Sequence, residues 1–271
     1  MSSALESVSG AAKTIVNGGN IAGPGVFAGV PAHSNGAVAK PKSAEMTPGP
    51  GFRIRDEINR PPPEIVRHYR GFETADVSDM LNRMYTMQHG ISNLTNDKPL
   101  LGPAVTVKLF PGDNLMLHKV LDVVQPGDVV VVDTSGSDRN AVFGDLIANK
   151  ACHRGIAGFV IDGLIRDLDG VIETGLPIYA RGVTSFGPLH RGPGELNHTI
   201  SCGGIVVNPG DIITADSSGI VVVARDCAHH IALRLQTHQV KMENYVNDVK
   251  RGVFSNDWVD AQLHGEGCLF E

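Results

Sequence analysis

Two short apolar runs on either side of a helical segment limit most strongly what this chain can fold into. The runs span residues 128–133 and 156–161, and both are nearly continuous, as in strands that are buried on both faces. Between them, residues 144–154 carry apolar side chains at helical spacing and end in a basic turn, and Gly155 follows as a stop signal. A strand, a helix and a second strand in this order form a crossover, so the two strands are predicted to be parallel neighbours.

The crossover brings polar residues that are distant in sequence to one edge of the predicted sheet. The helix begins at Gly144 and Asp145, at the carboxyl end of the first strand, and Arg166 and Asp167 follow the second strand. Free amides at a helix N-terminus bind anions, and a guanidinium pairs with a planar carboxylate through two hydrogen bonds. An Asp at the same edge offers oxygen ligands to a hard cation. These residues therefore predict a pocket for a small carboxylate beside a divalent metal.

Each of these residues also has a purely structural interpretation. Asp145 alone is explained as a favourable charge in the first turn of a helix, an effect of about 0.3–1 kcal/mol. Arg166 and Asp167 alone are explained as an exposed ion pair in a turn. Their joint occurrence within one crossover unit favours a site. Asp162, at the end of the second strand, is either structural or a hydrogen-bond partner of Arg166, and both interpretations stay open.

Composition and charge argue against several classes of function. A net charge of −6 without any basic block argues against nucleic acid as the main partner. The sequence has no run of eighteen apolar residues, so no membrane span is expected. The four cysteines are scattered without Cys-x-x-Cys spacing, which argues against a zinc ribbon and a disulfide framework. Reduced thiols in a cytoplasmic protein are the prediction.

The chain is predicted to divide into three parts. Residues 1–51 are rich in Gly and Pro and poor in charge, which predicts a flexible or irregular arm without the features of a signal or transit peptide. Residues 52–252 are the predicted folded body. Residues 253–271 form a C-terminal tail that holds the only tryptophan, Trp258, and is a candidate for closing over the pocket or an interface.

Further elements of the body are predicted from apolar spacing and from Gly, Pro and capping residues. Together they predict a β-rich body with helices outside the sheets. The predicted helices are 61–69, one that is capped by Thr74, 115–124, 168–174 and 226–250, and the predicted strands are 102–110, 177–180, 204–208 and 219–224.

One internal repeat is visible in the sequence. Residues 126–136 align without gaps to residues 209–219, and each copy opens with Pro-Gly-Asp before an apolar run. A tight Pro-Gly-Asp turn that leads into a buried strand explains both copies. This structural interpretation is favoured over a duplicated functional motif.

The motifs around the predicted pocket resemble those of the RraA-like family, over about residues 74–252. The family includes the class II 4-hydroxy-4-methyl-2-oxoglutarate/4-carboxy-4-hydroxy-2-oxoadipate aldolases, whose signature is Asp, twenty residues, Arg, Asp. Asp145 and Arg166 differ by 21 positions, which leaves twenty residues between them, and Asp167 follows, so the signature is complete. The motifs that carry the resemblance are Phe143-Gly-Asp-Leu-Ile, Val160-Ile-Asp-Gly-Leu-Ile-Arg-Asp, Arg181-Gly-Val-Thr, Arg191-Gly-Pro-Gly-Glu, Gly210-Asp, Ala215-Asp and Gly219.

The resemblance implies a fold, an assembly and an activity. The expected fold is α/β, a three-layer α/β/β sandwich of the swivelling type, and the expected assembly is a homotrimer or a homohexamer. The expected activity is retro-aldol cleavage of 4-hydroxy-2-oxo acids to pyruvate, with decarboxylation of oxaloacetate through the same enolate. Mg²⁺ or Mn²⁺ is the implied cofactor, a small keto acid is the implied substrate, and residues 52–252 are then an RraA-like catalytic domain.

The resemblance also implies roles for individual residues. Asp167 is expected to bind the metal directly, and Asp145 is expected to hold it through a water molecule and to take part in proton transfer. Arg166 is expected to contact the pyruvyl oxygens. Glu243, on the predicted C-terminal helix, is the candidate for a water-mediated metal ligand from a neighbouring chain. The pyruvyl carboxylate is expected on the backbone amides of Gly144, Asp145, Leu146 and Ile147.

Two alternative functions stay open on the sequence alone. Some RraA-like proteins are named as inhibitors of ribonuclease E, which suggests a non-catalytic regulator, although those proteins usually lack the complete Asp–Arg–Asp set. The other alternative is a lyase for a different enolisable acid, with the metal site kept and the pocket altered. A methyltransferase function has no support, because no glycine-rich nucleotide loop follows a first strand.

The remaining polar residues are predicted to be structural. The histidines, which include His118, His153 and His190, show no metal-ligand spacing on one face and are predicted to be surface or core residues. Arg191 is predicted to lie in a turn rather than to line the mouth of the pocket.

Overall fold

Residues 45–271 are described by the computed structural model of the chain. The predicted arm, residues 1–51, therefore lies outside the described residues except for its end, 45–51. The helices are α1 (Pro63–Arg67), α2 (Thr74–Met80), α3 (Leu115–Lys119), α4 (Asp145–Arg154), α5 (Leu168–Glu173), α6 (Ala228–Lys250) and α7 (Asp257–Gly265). The strands are β1 (Phe52–Ile54), β2 (Ser92–Asn93), β3 (Leu100–Leu109), β4 (Val129–Asp133), β5 (Ala141–Phe143), β6 (Gly158–Ile165), β7 (Ile178–Val183), β8 (Gly194–Leu196), β9 (Ile200–Cys202), β10 (Ile205–Val207), β11 (Ile212–Asp216) and β12 (Gly219–Val223).

A mixed sheet forms the centre of the fold. Its main path has the order β1-β8-β3-β4-β6-β7-β2, while β5 pairs with β6, and β11 pairs with both β3 and β12. Strands β3, β4, β6 and β7 run parallel to one another. The predicted parallel pairing of the two apolar runs is confirmed, because Val130 lies opposite Phe159 and Val132 lies opposite Ile161.

Alternate residues of the central strands pack against different layers. On β4, Val130 and Val132 pack against the layer of α3, α4 and α5, whereas Val129 and Val131 pack against β9 to β12. The opposite face of β11 and β12 is covered by α1, α2 and α6. The predicted α/β/β sandwich is confirmed, with these three helices as an additional cover over its second sheet. None of the helices within residues 45–271 combines the length and the apolar composition needed to cross a bilayer.

Several element boundaries differ from the prediction. The second strand of the crossover, β6, extends from Gly158 to Ile165 and so reaches Arg166 directly. Strand β5 was not predicted, because three residues carry no periodic signal. Thr74 is the first residue of α2 rather than its cap, and its hydroxyl donates to Asp216 Oδ1 at 2.6 Å. The tail contains α7, on which Trp258 is 67% exposed.

The repeated Pro-Gly-Asp turn is structural in both copies, as predicted. In the first copy, the Asp128 carboxylate accepts a hydrogen bond from the Gln125 amide at 2.7 Å. In the second copy, the Asp211 carboxylate accepts one from the Asn208 amide at 2.8 Å. Each carboxylate therefore closes the turn that leads into a buried strand.

The first turn is also attached to the N-terminal part of the described chain. Arg60 donates two hydrogen bonds to the Asp128 carboxylate, from Nε at 2.8 Å and from Nη2 at 2.7 Å. The Asp128 side chain is only 1% exposed, and that of Arg60 is 19% exposed. The ion pair with Arg60 offsets the desolvation cost of burying the Asp128 carboxylate.

Arg60→Met is expected to lower the free energy of unfolding by about 3–5 kcal/mol, because it leaves a buried carboxylate without its cation. Denaturant unfolding followed by circular dichroism measures the loss. The matched control is Arg83→Met, since Arg83 and Asp79 form an exposed pair that contributes about 0–1 kcal/mol. Equal losses in the two variants would contradict the structural role of Arg60.

Candidate active site

A pocket of about 210 Å³ lies at the carboxyl ends of β5 and β6. The N-terminus of α4 and the residues that follow β6 form one side of it, and residues from α3 and from the segment before β8 complete the lining. Except for Glu243, every residue that was predicted for the carboxylate and the metal lies here: Gly144, Asp145, Leu146, Ile147, Arg166 and Asp167.

The start of α4 and the Arg–Asp pair are in direct contact. The amide of Arg166 donates to the carbonyl oxygen of Phe143 at 2.9 Å, as the last hydrogen bond between β5 and β6. A Cβ atom added to Gly144 would lie 2.7 Å from Asp167 Oδ2 and 3.2 Å from Arg166 Cγ. The glycine thus leaves the space that the two charged side chains occupy. The convergence of these groups, which the crossover predicts, is present in the structure.

Only some of the backbone amides at the start of α4 are free to bind an anion. The amide of Ile147 donates to the Gly144 carbonyl at 3.1 Å, and the amide of Leu146 donates to Asp145 Oδ1 at 2.7 Å. The amides of Gly144 and Asp145 have no acceptor within residues 45–271. The amides of Leu146 and Ile147 thus have acceptors within the chain, and the binding of a carboxylate by all four amides stays a prediction.

Asp167 has an uncommon backbone conformation. Its φ of 54° and ψ of 44° lie in the left-handed region, where residues other than glycine are rare, and its carbonyl accepts the hydrogen bond from Val171 that begins α5. Its Oδ2 lies 3.1 Å from Arg166 Nε, and both side chains are nearly half exposed. The conformation places a carboxylate at the pocket beside the guanidinium rather than in the helix.

The carboxylates of the pocket define what metal one chain can hold. Asp145 and Asp167 both line the pocket, while Glu243 is exposed on α6 and does not. Within residues 45–271, no three His, Cys, Asp or Glu side chains are grouped as a complete metal site. Two carboxylates with water as the remaining ligands suit Mg²⁺, which usually keeps several of its waters in proteins. The donor set therefore fits the metal that the resemblance implies.

Asp162 is not a hydrogen-bond partner of Arg166. Of the two interpretations that the sequence left open for Asp162, the structural one is therefore correct. Its Oδ1 accepts a hydrogen bond from Arg181 Nε, and its Oδ2 accepts one from the Gly203 amide at 2.7 Å. Asp162 thus joins β6 to β7 and to the turn between β9 and β10. The guanidinium of Arg166 is left with Asp167 as its partner.

The pocket also contains two histidines whose position no sequence pattern predicts. His118 and His190 both line it, and their rings meet edge to face with centroids 5.5 Å apart. Burial lowers the pKa of His118, and electrostatic interactions with the nearby Lys150 and His190 lower it further. The lowered pKa favours the neutral form of the His118 ring. No sequence spacing links positions 118 and 190, because loop contacts bring them together. Arg191 does not line the pocket.

Comparison with known proteins gives consistent results at the level of sequence and of structure. A family model described as "RraA-like: Aldolase/RraA" matches residues 74–222. A protein of Halalkalibacterium halodurans named "Putative 4-hydroxy-4-methyl-2-oxoglutarate aldolase" is 34% identical over 180 residues, which are 66% of this chain and 86% of that protein.

Two solved structures extend the similarity. Streptomyces coelicolor RraAS2, titled an unusual member of the RNase ES inhibitor RraA protein family, is 30% identical with a TM-score of 0.64, over 70% of this chain and 99% of its own. An uncharacterized protein from Pseudomonas syringae pv. tomato is 27% identical with a TM-score of 0.64, over 72% of this chain and 96% of its own. On its sequence match and its fold together, this chain belongs to the RraA-like family.

Proposed function

We propose that this protein is a metal-dependent lyase of the aldolase type, which cleaves 4-hydroxy-2-oxo acids to pyruvate and decarboxylates oxaloacetate. One observation carries the proposal: the free amides at the start of α4, the Arg166 guanidinium and the carboxylates of Asp145 and Asp167 share one pocket. The name of the Halalkalibacterium relative supports an aldolase-type reaction. The presence of the complete set, Asp145, Arg166 and Asp167, in one pocket favours this proposal over a separate structural role for each residue.

The carboxylate of the keto acid binds at the start of α4. The amides of Gly144 and Asp145 have no acceptor among residues 45–271, and the helix dipole adds a partial positive charge at the same place. Arg166 lies close enough to Gly144 to contact the adjacent keto oxygen of the same substrate. This arrangement orients the carbon next to the keto group toward the open part of the pocket.

Both reactions pass through the enolate of pyruvate, whose negative charge must be met as it forms. Arg166 provides a fixed positive charge for it. Asp167 directly, and Asp145 through a water molecule, would hold Mg²⁺ or Mn²⁺, which supplies Lewis-acid stabilisation of the developing charge. Among the described residues, no lysine lines the pocket that could supply a Schiff base instead. The resemblance also implies that Asp145 takes part in proton transfer, through the water molecule that it would hold.

Glu243 from a neighbouring chain would complete the metal's outer ligands in a homotrimer or homohexamer. The second half of α6, which carries it, has several exposed apolar side chains, in contrast to the buried Ile231 and Leu235 of the first half. Exposed apolar side chains at this density favour a protein interface. These exposed side chains support a second copy of this chain as the partner. They are Val240, Met242, Tyr245, Val246 and Val249.

A regulator that binds a ribonuclease is the second candidate, because the structure of Streptomyces coelicolor RraAS2 is similar. A regulator needs neither free amides nor a half-exposed Arg–Asp pair inside a pocket. A lyase for another enolisable acid keeps the same amides, guanidinium and carboxylates and differs only in the distal part of the pocket. Pyruvate release from oxaloacetate separates the lyases from the regulator.

The purified protein with Mg²⁺ is expected to release pyruvate from oxaloacetate, and a chelator is expected to stop the release. Asp167→Ala is expected to abolish the metal-dependent release of pyruvate, while the circular dichroism spectrum stays unchanged. The control is Asp169→Ala, an exposed position on α5 that does not line the pocket. Pyruvate release is followed with a coupled dehydrogenase. Absence of pyruvate from the metal-loaded protein, or an Asp167→Ala variant that remains fully active, would contradict the proposal.

Arg166→Ala is expected to lower the rate of pyruvate formation by roughly a hundredfold or more, as does the loss of an oxyanion donor in other enzymes. Arg154→Ala, on the exposed face at the end of α4, is the control. Mixed oligomers of Arg166→Ala and Glu243→Ala chains are expected to regain activity, because some of their sites combine an intact Arg166 with an intact Glu243. Verified mixed oligomers that show no recovery would exclude a shared site.

A further inference from the structure

His190 is held rigidly although its side chain lies at the surface of the pocket. The Leu189 amide donates to the Gly112 carbonyl at 2.8 Å, and the Asn114 amide donates to the Leu189 carbonyl at 2.9 Å. The Arg191 amide donates to Asp113 Oδ2. Hydrogen bonds on both sides of His190 thus fix its backbone against residues 112–114, of which Asp113 and Asn114 are buried.

Asn114 determines which nitrogen of His190 carries a proton. Asn114 Nδ2 lies 2.9 Å from the Val142 carbonyl oxygen, which can only accept, so the amide group of the side chain faces Val142. Asn114 Oδ1 therefore faces His190 Nδ1, 2.6 Å away, and must accept a hydrogen bond from it. In the neutral ring, Nδ1 carries the hydrogen, and Nε2 is the nitrogen left with a lone pair for a ligand in the pocket.

His118, the other imidazole of the pocket, lacks this arrangement. No hydrogen bond from residues 45–271 fixes either of its ring nitrogens, and its ring meets His190 edge to face. A base that is oriented by a third group is the usual arrangement for proton transfer, and an imidazole is the side chain best matched to it near neutral pH. His190, with Asn114 behind it, meets this description.

We propose that His190 Nε2 is the base that removes the proton from the C4 hydroxyl of a 4-hydroxy-2-oxo acid, with Asn114 as the positioning residue. This inference rests on the proposed function. The O–H bond breaks and its proton goes to Nε2, while the C3–C4 bond breaks and its electron pair forms the enolate of pyruvate. C4 leaves as a carbonyl group. The imidazolium then returns the proton to C3, which gives pyruvate and regenerates the neutral ring.

Oxaloacetate separates this role from a structural one. Its decarboxylation forms the same enolate, but the substrate has no C4 hydroxyl and so needs no base at that position. His190→Gln is therefore expected to lower the rate of aldol cleavage of 4-hydroxy-2-oxoglutarate by about a hundredfold or more. The rate of oxaloacetate decarboxylation is expected to fall by a factor that is at least about ten times smaller. The control is His153→Gln, an exposed residue of α4 outside the pocket.

A spectroscopic measurement tests the role of Asn114. In long-range ¹H–¹⁵N NMR spectra of the metal-loaded protein, His190 is expected to show a protonated Nδ1 and an unprotonated Nε2. Asn114→Leu is expected to abolish this preference and to lower aldol cleavage more than decarboxylation. A His190 ring protonated at Nε2 in the neutral form would overturn the assignment.

The outcomes distinguish failure of this inference from failure of the proposed function. Equal losses of both activities in His190→Gln indicate a packing role and overturn the inference alone. Aldol cleavage that survives in His190→Gln also overturns it, while the enolate chemistry stands. A wild-type protein that releases pyruvate from neither substrate overturns the proposed function and this inference together.

Discussion

The site depends on one backbone hydrogen bond, from the Arg166 amide to the Phe143 carbonyl, at 2.9 Å. It is the last bond of the parallel β5–β6 pair, and it joins the last residue of β5 to the first residue after β6. The neighbouring pair β4–β6 is buried on both faces, and a shift of its register by one residue would move every side chain to the opposite layer. Backbone pairing therefore brings Gly144 beside Arg166 and Asp167, whose side chains then occupy the space next to the glycine.

Two Arg–Asp pairs among the described residues contribute to different properties. Arg60–Asp128 is bidentate and buried at its carboxylate, so it belongs to the stability of the fold. Arg166–Asp167 has both side chains nearly half exposed, and such pairs contribute only about 0–1 kcal/mol. Asp167 also has a left-handed backbone, which costs of order 1–3 kcal/mol. The exposed ion pair alone therefore does not offset the cost of this conformation, which places the Asp167 carboxylate at the pocket.

The sequence predicted the features that local backbone rules determine. Helix α4 ends before Gly155, which adopts a φ of 68°, as the stop signal indicates, and the crossover places the predicted pocket residues together. What it could not predict depends on contacts between distant loops. His190 and Asn114 are 76 positions apart, and their hydrogen bond exists only because the segments around residues 113 and 189 lie side by side. The same reason explains why Asp162 pairs with Arg181: side-chain partners across strands leave no trace in apolar periodicity.

The balance of charge in the pocket explains why a divalent cation belongs to the proposed reaction. Asp145 and Asp167 bring two negative charges, Arg166 brings one positive charge, and the lowered pKa of His118 favours the neutral form of that ring. The formal charge of Asp145, Asp167 and Arg166 together is negative, which opposes the binding of an anionic keto acid and acts against the favourable helix dipole and amides. One divalent cation reverses the sign of the sum. Metal and substrate are then expected to stabilise each other's binding, since each offsets the charge that opposes the other.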